Sequence, residues 1–296
     1  MRKKQGEITH FFKGIGISLA RLKLITKQRS RFGFIQLFRH PELGKVFVLD
    51  GEIQHVEAWA PLYHEPLVHL PAAFVQEVQD VLILGGGTLF AAWEALKYKS
   101  VRRVLLFERD PVVIDTVAKH YDHAEACLDD PRLILMHDDA YRSLQCLDRK
   151  FDLVINDGVD LLAVGSKTAG KPSKIFSAMM DALKPGGVCA DVVFRHLFEK
   201  KRTQRTIDVF QENTRLALSL VFLPEYHGVL HILCAWGEKT SAINQNLQRP
   251  KNREQLRWLK GSQPSPCQYY DPRFLHYYLY LPNYLKSALN IRKKAA

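Results

Sequence analysis

Two aspartates three residues apart, Asp157 and Asp160, follow the run Phe151-Asp152-Leu153-Val154-Ile155-Asn156. A carboxylate pair at the end of a strand can hold a cationic amine and take its proton. The same residues can equally stabilise a loop through Asx turns. Upstream, Gly85-Gly86-Gly87 joins the short apolar run Val81–Leu84 to a helix predicted over Leu89–Leu96. Glycines let backbone approach a ligand and leave the helix N-terminus facing it, although a tight turn uses them as well. Glu108 closes the next strand, Arg103–Phe107. In nucleotide-binding α/β folds an acid at that place accepts from the ribose hydroxyls, so loop and acid together point to a nucleoside-bearing ligand. Thr88-Leu89-Phe90 after the three glycines breaks the G-x-G-x-x-G pattern and argues against a dinucleotide. Asp139, in Asp138-Asp139-Ala140, can accept from an adenine amino group or cap a helix. Tyr63-His64-Glu65, with Gln54 upstream, is uninformative on its own.

These residues need a scaffold, and the pattern around them supplies one. Phe32–Phe38, Lys45–Leu49 and Glu52–Val56 are short β-like runs, the last two joined by the hairpin signal Asp50-Gly51. From residue 80 strands and helices alternate. Asp110-Pro111 caps and opens a helix through Lys119; Leu133–Met136, Leu153–Ile155 and Val188–Val193 read as further strands, with Lys184-Pro185-Gly186-Gly187 as the turn into the last. Such alternation implies an α/β fold with a mainly parallel sheet covered on both faces. The expected organisation is a basic N-terminal segment over 1–30, a β-hairpin region over 31–72 and a Rossmann-like catalytic domain over 73–296. Residues 1–30, with bases scattered among Phe11, Phe12, Ile15, Leu19, Leu22 and Leu24, fit an amphipathic helix on a membrane or partner, or a helix or strand packed on its own domain.

Composition narrows the class. With 47% apolar residues the 296-residue chain can bury a large core, which excludes wholesale disorder. Lys and Arg outnumber Asp and Glu by 42 to 31, a net charge of +11. That balance suits an acidic partner or serves solubility alone. No helix-turn-helix, zinc-finger or RNA-binding signature accompanies it, so no nucleic-acid partner is expected. Five widely spaced cysteines without a CxxC indicate neither a disulfide framework nor a zinc site, and a cytoplasmic protein is expected. No apolar run is long enough for a membrane span, and Met1-Arg2-Lys3-Lys4 is not followed by a signal-peptide core.

The ordered set of motifs resembles the spermidine synthase (polyamine aminopropyltransferase) family, over about residues 31–290. It comprises Gly44-Lys45-Val46 through Asp50-Gly51 and Gln54, Tyr63-His64-Glu65, Ile83-Leu84-Gly85-Gly86-Gly87, Glu108, Asp129-Asp130-Pro131-Arg132, Asp139, Asp157 with Asp160, Pro224-Glu225-Tyr226-His227-Gly228, Tyr269-Tyr270-Asp271-Pro272 and Leu281-Pro282-Asn283-Tyr284. The resemblance implies a Rossmann-like methyltransferase-type domain with a small N-terminal antiparallel β domain. It implies transfer of an aminopropyl group from decarboxylated S-adenosylmethionine to an amine such as putrescine, with no metal. Asp157 would be the general base and Asp160 its partner. Tyr63, His64 and Tyr226 would line the amine channel. Gln54, Gly85, Gly86, Gly87, Glu108, Asp139 and Ala140 would bind the donor. A homodimer or homotetramer is expected.

Several positions depart from the family. Thr88 stands where the family has an Asp that holds the donor's ammonium, and Leu89 where it has the next Gly. Trp59-Ala60 replaces an Asp-Glu pair, Gly33 aligns with an early Gln, and Leu161-Leu162-Ala163-Val164 replaces a Pro-x-Gly-Pro gate. These changes keep two other readings open: an S-adenosylmethionine-dependent methyltransferase, and a non-catalytic relative.

Overall fold

The computed structural model describes residues 6–12, 15–158, 173–195, 200–226, 229–238 and 267–288. Ile8–Phe12 (β1) and Ile15–Leu19 (β2) form an antiparallel pair. Lys23–Arg29 (β3), Phe34–His40 (β4), Gly44–Leu49 (β5) and Glu52–Val56 (β6) form a four-stranded antiparallel sheet in sequence order. Of the readings open for residues 1–30, strands packed on their own domain are what the described residues form, and the amphipathic helix is not found among them. In β3 the polar residues alternate with period two: Lys27 and Arg29 are exposed, while Gln28 between them donates to Thr116 Oγ1 at 3.3 Å. Because β3 pairs with β4, position 31 falls between two paired strands. Asp50 and Gly51 both have positive φ, 49° and 83°, the geometry a two-residue hairpin turn demands.

A 3-10 turn at Glu57–Trp59 leads into Ala60–Ala72 (α1). The α/β part then runs Asp80–Gly85 (β7), Phe90–Leu96 (α2), Arg103–Phe107 (β8), Pro111–His120 (α3), Asp122–Leu128 (α4), Leu133–Met136 (β9), Ala140–Gln145 (α5), Phe151–Asp157 (β10), Lys174–Asp181 (α6), Leu183–Arg195 (β11), Lys200–Asn213 (α7), Arg215–Leu223 (β12) and Val229–Gly237 (β13). Two short helices, Leu275–Tyr278 (α8) and Asn283–Ala288 (α9), follow. The seven strands are ordered β12-β13-β11-β10-β7-β8-β9; β13 is antiparallel to both neighbours and the rest of the ladder is parallel. Lys184–Gly187, expected as a turn before a strand, is a bulge inside β11: Phe151 pairs with Leu183, then Leu153 with Val188. Gly186 takes φ 79° there, and Lys184 Nζ binds Asp80 (2.6 Å) and Asp152 (2.9 Å).

Strand residues alternate between two cores. Val81, Ile83, Leu153 and Ile155 pack toward α1 and α2, while Leu82, Leu84 and Val154 pack with Phe176, Phe210 and Trp236 on the other face. Both faces are buried, which is why these strands read as unbroken apolar runs.

Helix α1 is fixed by polar anchors. Glu65 accepts the backbone N–H groups of Gln268, Tyr269 and Tyr270 at 2.6–2.7 Å. His69 bridges Tyr98 (2.8 Å) and Glu94 (2.9 Å), which also binds Lys97. Burial alone would raise the Glu94 carboxyl, but His69 and Lys97 outweigh it and hold it low. A satisfied buried network of this kind fixes the register of α1 against α2, so the helix arrives with Tyr63 and His64 aimed at the sheet.

Candidate active site

Strand order reverses at β7: the chain moves outward through β8 and β9, then returns to place β10 on the other side of β7. Open α/β sheets bind ligands at this crevice, beyond the carboxyl ends of the strands. The two strand ends are in register, Asp157 opposite Gly85. Gly85 has φ 81°, and a Cβ there would lie 2.5 Å from the Asp157 carbonyl oxygen. Only glycine lets these strands end side by side. Above them opens a cavity of about 760 Å³, bounded by the four-stranded sheet, α1 and the ends of β7, β8, β10 and β11.

At its floor, Tyr63 Oη donates to Asp157 Oδ1 at 2.9 Å. His64 Nδ1 faces the Ala60 carbonyl at 3.1 Å, and its Nε2 lies 3.8 Å from Asp157 Oδ2. Burial holds the His64 pKa down, although Asp157 pulls it up. Burial, then Asp157, then Asp191 push the Tyr63 hydroxyl well up, so it stays a donor. Asp157 is 8% exposed and its Oδ2 has no hydrogen-bond partner among the described residues. A buried carboxylate oxygen with an unused lone pair is what an incoming N–H needs.

The other wall suits a nucleoside. Glu108 Oε1 accepts the Asp110 N–H at 2.9 Å, and the Gly87 N–H also binds this carboxylate. Asp110 in turn caps α3 through Val112 N–H (3.0 Å) and accepts from Ser30 (2.5 Å). Burial raises the Glu108 carboxyl from its ordinary range. A Cβ on Gly87 would stand 2.7 Å from Glu108 Oε2, so the cradle has room for backbone only. Gly86 carries φ 82°. Asp139 lines the cavity, yet its Oδ1 accepts Arg142 N–H at 2.9 Å and caps α5. Both roles considered for it are thus compatible; Ala140 beside it is buried. Tyr226 Oη reaches the carbonyl and Oε1 of Gln54, each at 3.4 Å. Asp160, Leu161–Val164 and His227-Gly228 lie outside the described residues.

The spermine/spermidine synthase domain family matches residues 60–246, well over half of the chain. The chain belongs to the spermine/spermidine synthase family. Putrescine N-methyltransferase 2 of Nicotiana tabacum is 28% identical over 289 residues, 96% of this chain and 80% of that enzyme. A polyamine aminopropyltransferase of Hydrogenobaculum sp. (strain Y04AAS1) is 32% identical over 167 residues, 56% of this chain and 59% of that enzyme. Both relatives are transferases, and so is this family member. Spermidine synthase from Thermotoga maritima shares its fold at a TM-score of 0.80 and 23% identity, covering 98% of this chain and 96% of that one. The expected α/β architecture with a small N-terminal antiparallel sheet is the fold observed. Among the described residues no helix is long and apolar enough to cross a membrane.

Against the family pattern the glycine loop ends unusually. Thr88 is half-buried on the cavity, and its carbonyl accepts from His123 Nε2 at 2.9 Å. Leu89 is fully buried at φ 63°, its N–H donating to the Gly86 carbonyl at 2.8 Å. Phe90 packs at a tilt against both His123 (3.8 Å between ring centres) and His55 (4.6 Å). Burial keeps the pKa values of both histidines low.

Sequence reasoning assigned no role to His55, Asp191 and Glu225, which line the same cavity. Asp191 and Glu225 are buried acids, and their signal was an acid inside the apolar run Val188–Val193 and another two residues after β12. Burial raises the Glu225 carboxyl from 4.5 to about 7. Between those values the folded chain keeps a proton that the unfolded chain releases, so stability falls as pH rises through the window. Glu225→Gln removes this slope. The ligand-free variant should match wild type near pH 4 and exceed it by about 2–3 kcal/mol at pH 8. Urea denaturation at both pH values checks this, and a wild-type advantage at pH 8 would contradict it.

Proposed function

We propose that this family member alkylates an amine nitrogen, transferring the aminopropyl group of decarboxylated S-adenosylmethionine to a diamine such as putrescine. The observation that carries the reading is Asp157: it lines the cavity, its side chain is buried and oriented by Tyr63 through Oδ1, and its Oδ2 has no hydrogen-bond partner among the described residues. An amine is protonated in water and must lose that proton to become a nucleophile. Asp157 Oδ2 takes the proton, with Asp160 as the second acid of the pair. The nitrogen lone pair then forms the new C–N bond while the C–S pair leaves with methylthioadenosine. The donor supplies only a good sulfonium leaving group, so the protein's task is alignment and proton removal. Tyr63, His64 and Tyr226 line the amine path. Gln54, Gly85, Gly86, Gly87, Glu108, Asp139 and Ala140 hold the donor.

A second reading, methyl transfer from S-adenosylmethionine, is favoured by one observation: the cavity wall at the end of β7 carries neutral Thr88 with histidines behind it rather than an acid. The Nicotiana tabacum relative supports the same reading. Product analysis with putrescine and each donor separates them. Methylthioadenosine marks propyl transfer, S-adenosylhomocysteine marks methyl transfer, and neither product rejects both.

Glu108→Ala should weaken methylthioadenosine binding by about 1.5–3 kcal/mol, the range for one hydrogen bond to a charged group. Calorimetry that found equal affinity in the variant would count against the nucleoside wall.

A further inference from the structure

Glu225 follows β12 in Pro224-Glu225-Tyr226 and is 3% exposed. Its Oε2 has no hydrogen-bond partner among the described residues. In a chain carrying 42 Lys and Arg, no described Lys or Arg pairs with it. Yet it lines the cavity that holds Asp157. Its neighbour Tyr226 touches Gln54 and lies close enough to Tyr63 to act on its ionisation, and Tyr63 is bonded to Asp157. Asp191 acts on Tyr63 in the same way. Tyr63 is thus bonded to the carboxylate at the strand end, and Tyr226, which acts on Tyr63, adjoins the second carboxylate in sequence; all four line one cavity.

We propose that Glu225 anchors a second, distal ammonium of the acceptor and so selects an α,ω-diamine over a monoamine. The assignment rests on the amine-alkylation reading above. An ammonium offers three donors and a full charge. Docked on Glu225, it gives a charged donor to the Oε2 that has no partner among the described residues and offsets the desolvation of a buried acid. The first amine then lies toward Asp157, with the methylene chain along the rings of Tyr63 and Tyr226. A monoamine of equal length places a methyl group against the carboxylate and leaves it unpaired. Because burial favours the neutral form of Glu225, a cation entering the cavity also drives its ionisation.

The test is calorimetric titration of the full chain, saturated with methylthioadenosine, using putrescine and butylamine as probes. Wild type, Glu225→Gln and Glu225→Asp are compared, with methylthioadenosine affinity as the control for folding. Wild type should prefer putrescine by at least about tenfold, or ~1.4 kcal/mol. Glu225→Gln should lose that preference through weaker putrescine binding, and Glu225→Asp should keep most of it. Putrescine affinity equal in wild type and Glu225→Gln overturns the anchor. So does a wild type that binds both amines alike. In either case, alkylated product formed from putrescine leaves the alkylation reading standing. A wild type that binds neither amine and forms no product overturns both. If Glu225→Gln no longer binds methylthioadenosine, the wild-type ratio of the two amines and Glu225→Asp decide the matter.

Discussion

Asp157→Asn should lower turnover by about 100-fold to 10,000-fold, the usual range for removing a general base, with methylthioadenosine affinity close to wild type. The amide keeps the shape of the side chain, and its oxygen can still accept from Tyr63, which donates to Oδ1 at 2.9 Å. What disappears is the proposed proton acceptor, the unpartnered Oδ2 of a residue that lines the cavity. His64 cannot substitute well. It stands 3.8 Å from the missing oxygen, its Nδ1 is engaged at Ala60, and burial disfavours its charged form. The nucleoside wall, built on Glu108 and Gly87, lies on β8 and the loop after β7 and is untouched by the change. The measurement is a single-turnover rate with saturating donor and amine, alongside nucleoside calorimetry. Unchanged turnover would remove Asp157 from the chemistry, and a parallel loss of nucleoside affinity would recast it as a structural residue.

Thr88→Asp should shift donor preference toward decarboxylated S-adenosylmethionine by up to ~4 kcal/mol, about a thousandfold. Two unit charges about 4 Å apart interact on that scale at an effective dielectric near 20. An acid at position 88 attracts the ammonium of the decarboxylated donor and repels the carboxylate that distinguishes S-adenosylmethionine. With Thr88 both effects are absent, so wild type should discriminate weakly. The backbone at this position is held by His123 on the Thr88 carbonyl, and the new side chain enters a fixed site. Dissociation constants for both donors, before and after the change, give the answer. A wild type already favouring the decarboxylated donor by two or more orders of magnitude would show that another residue reads the amine.

The parts legible in sequence are those governed by local rules. Asp50-Gly51 announces its hairpin because two consecutive positive φ angles suit few residue pairs. Gly85 and Glu108 announce the cavity because each stands at the end of a buried apolar strand, where α/β sheets carry their ligands. Residues 1–30 are less legible, since scattered bases among apolar residues fit a helix as well as edge strands, and only pairing with β4 and packing of Leu19 and Leu22 on β5 and β6 decide it. Tyr63-His64-Glu65 shows the limit most clearly. Its first two residues face Asp157, whereas Glu65 points away to bind backbone amides about 200 residues later. Glu225 and Asp191 gained no role from the sequence because their meaning depends on the end of β12 and the interior of β11 meeting one cavity, a long-range fact.

Leu89 gives the donor loop its shape by an unusual route. A side-chain-bearing residue in left-handed backbone costs about 1–2 kcal/mol, and full burial of a leucine contributes about 1.5–3 kcal/mol. The two terms nearly cancel, so the core holds the turn in a conformation that glycine would merely permit. A freely flexing loop surrenders about 1–2 kcal/mol of entropy per residue when a ligand stills it. Here that ordering belongs to folding, and a nucleoside bound as proposed would meet a preorganised surface. The same arrangement couples the surface to distant packing. The Cys127 thiol, which is not part of the cavity lining, rests 3.8 Å from the carbonyl of Leu89, the residue after Thr88 on the cavity wall. A change in bulk at Cys127 would therefore reach the donor through the backbone, without touching it.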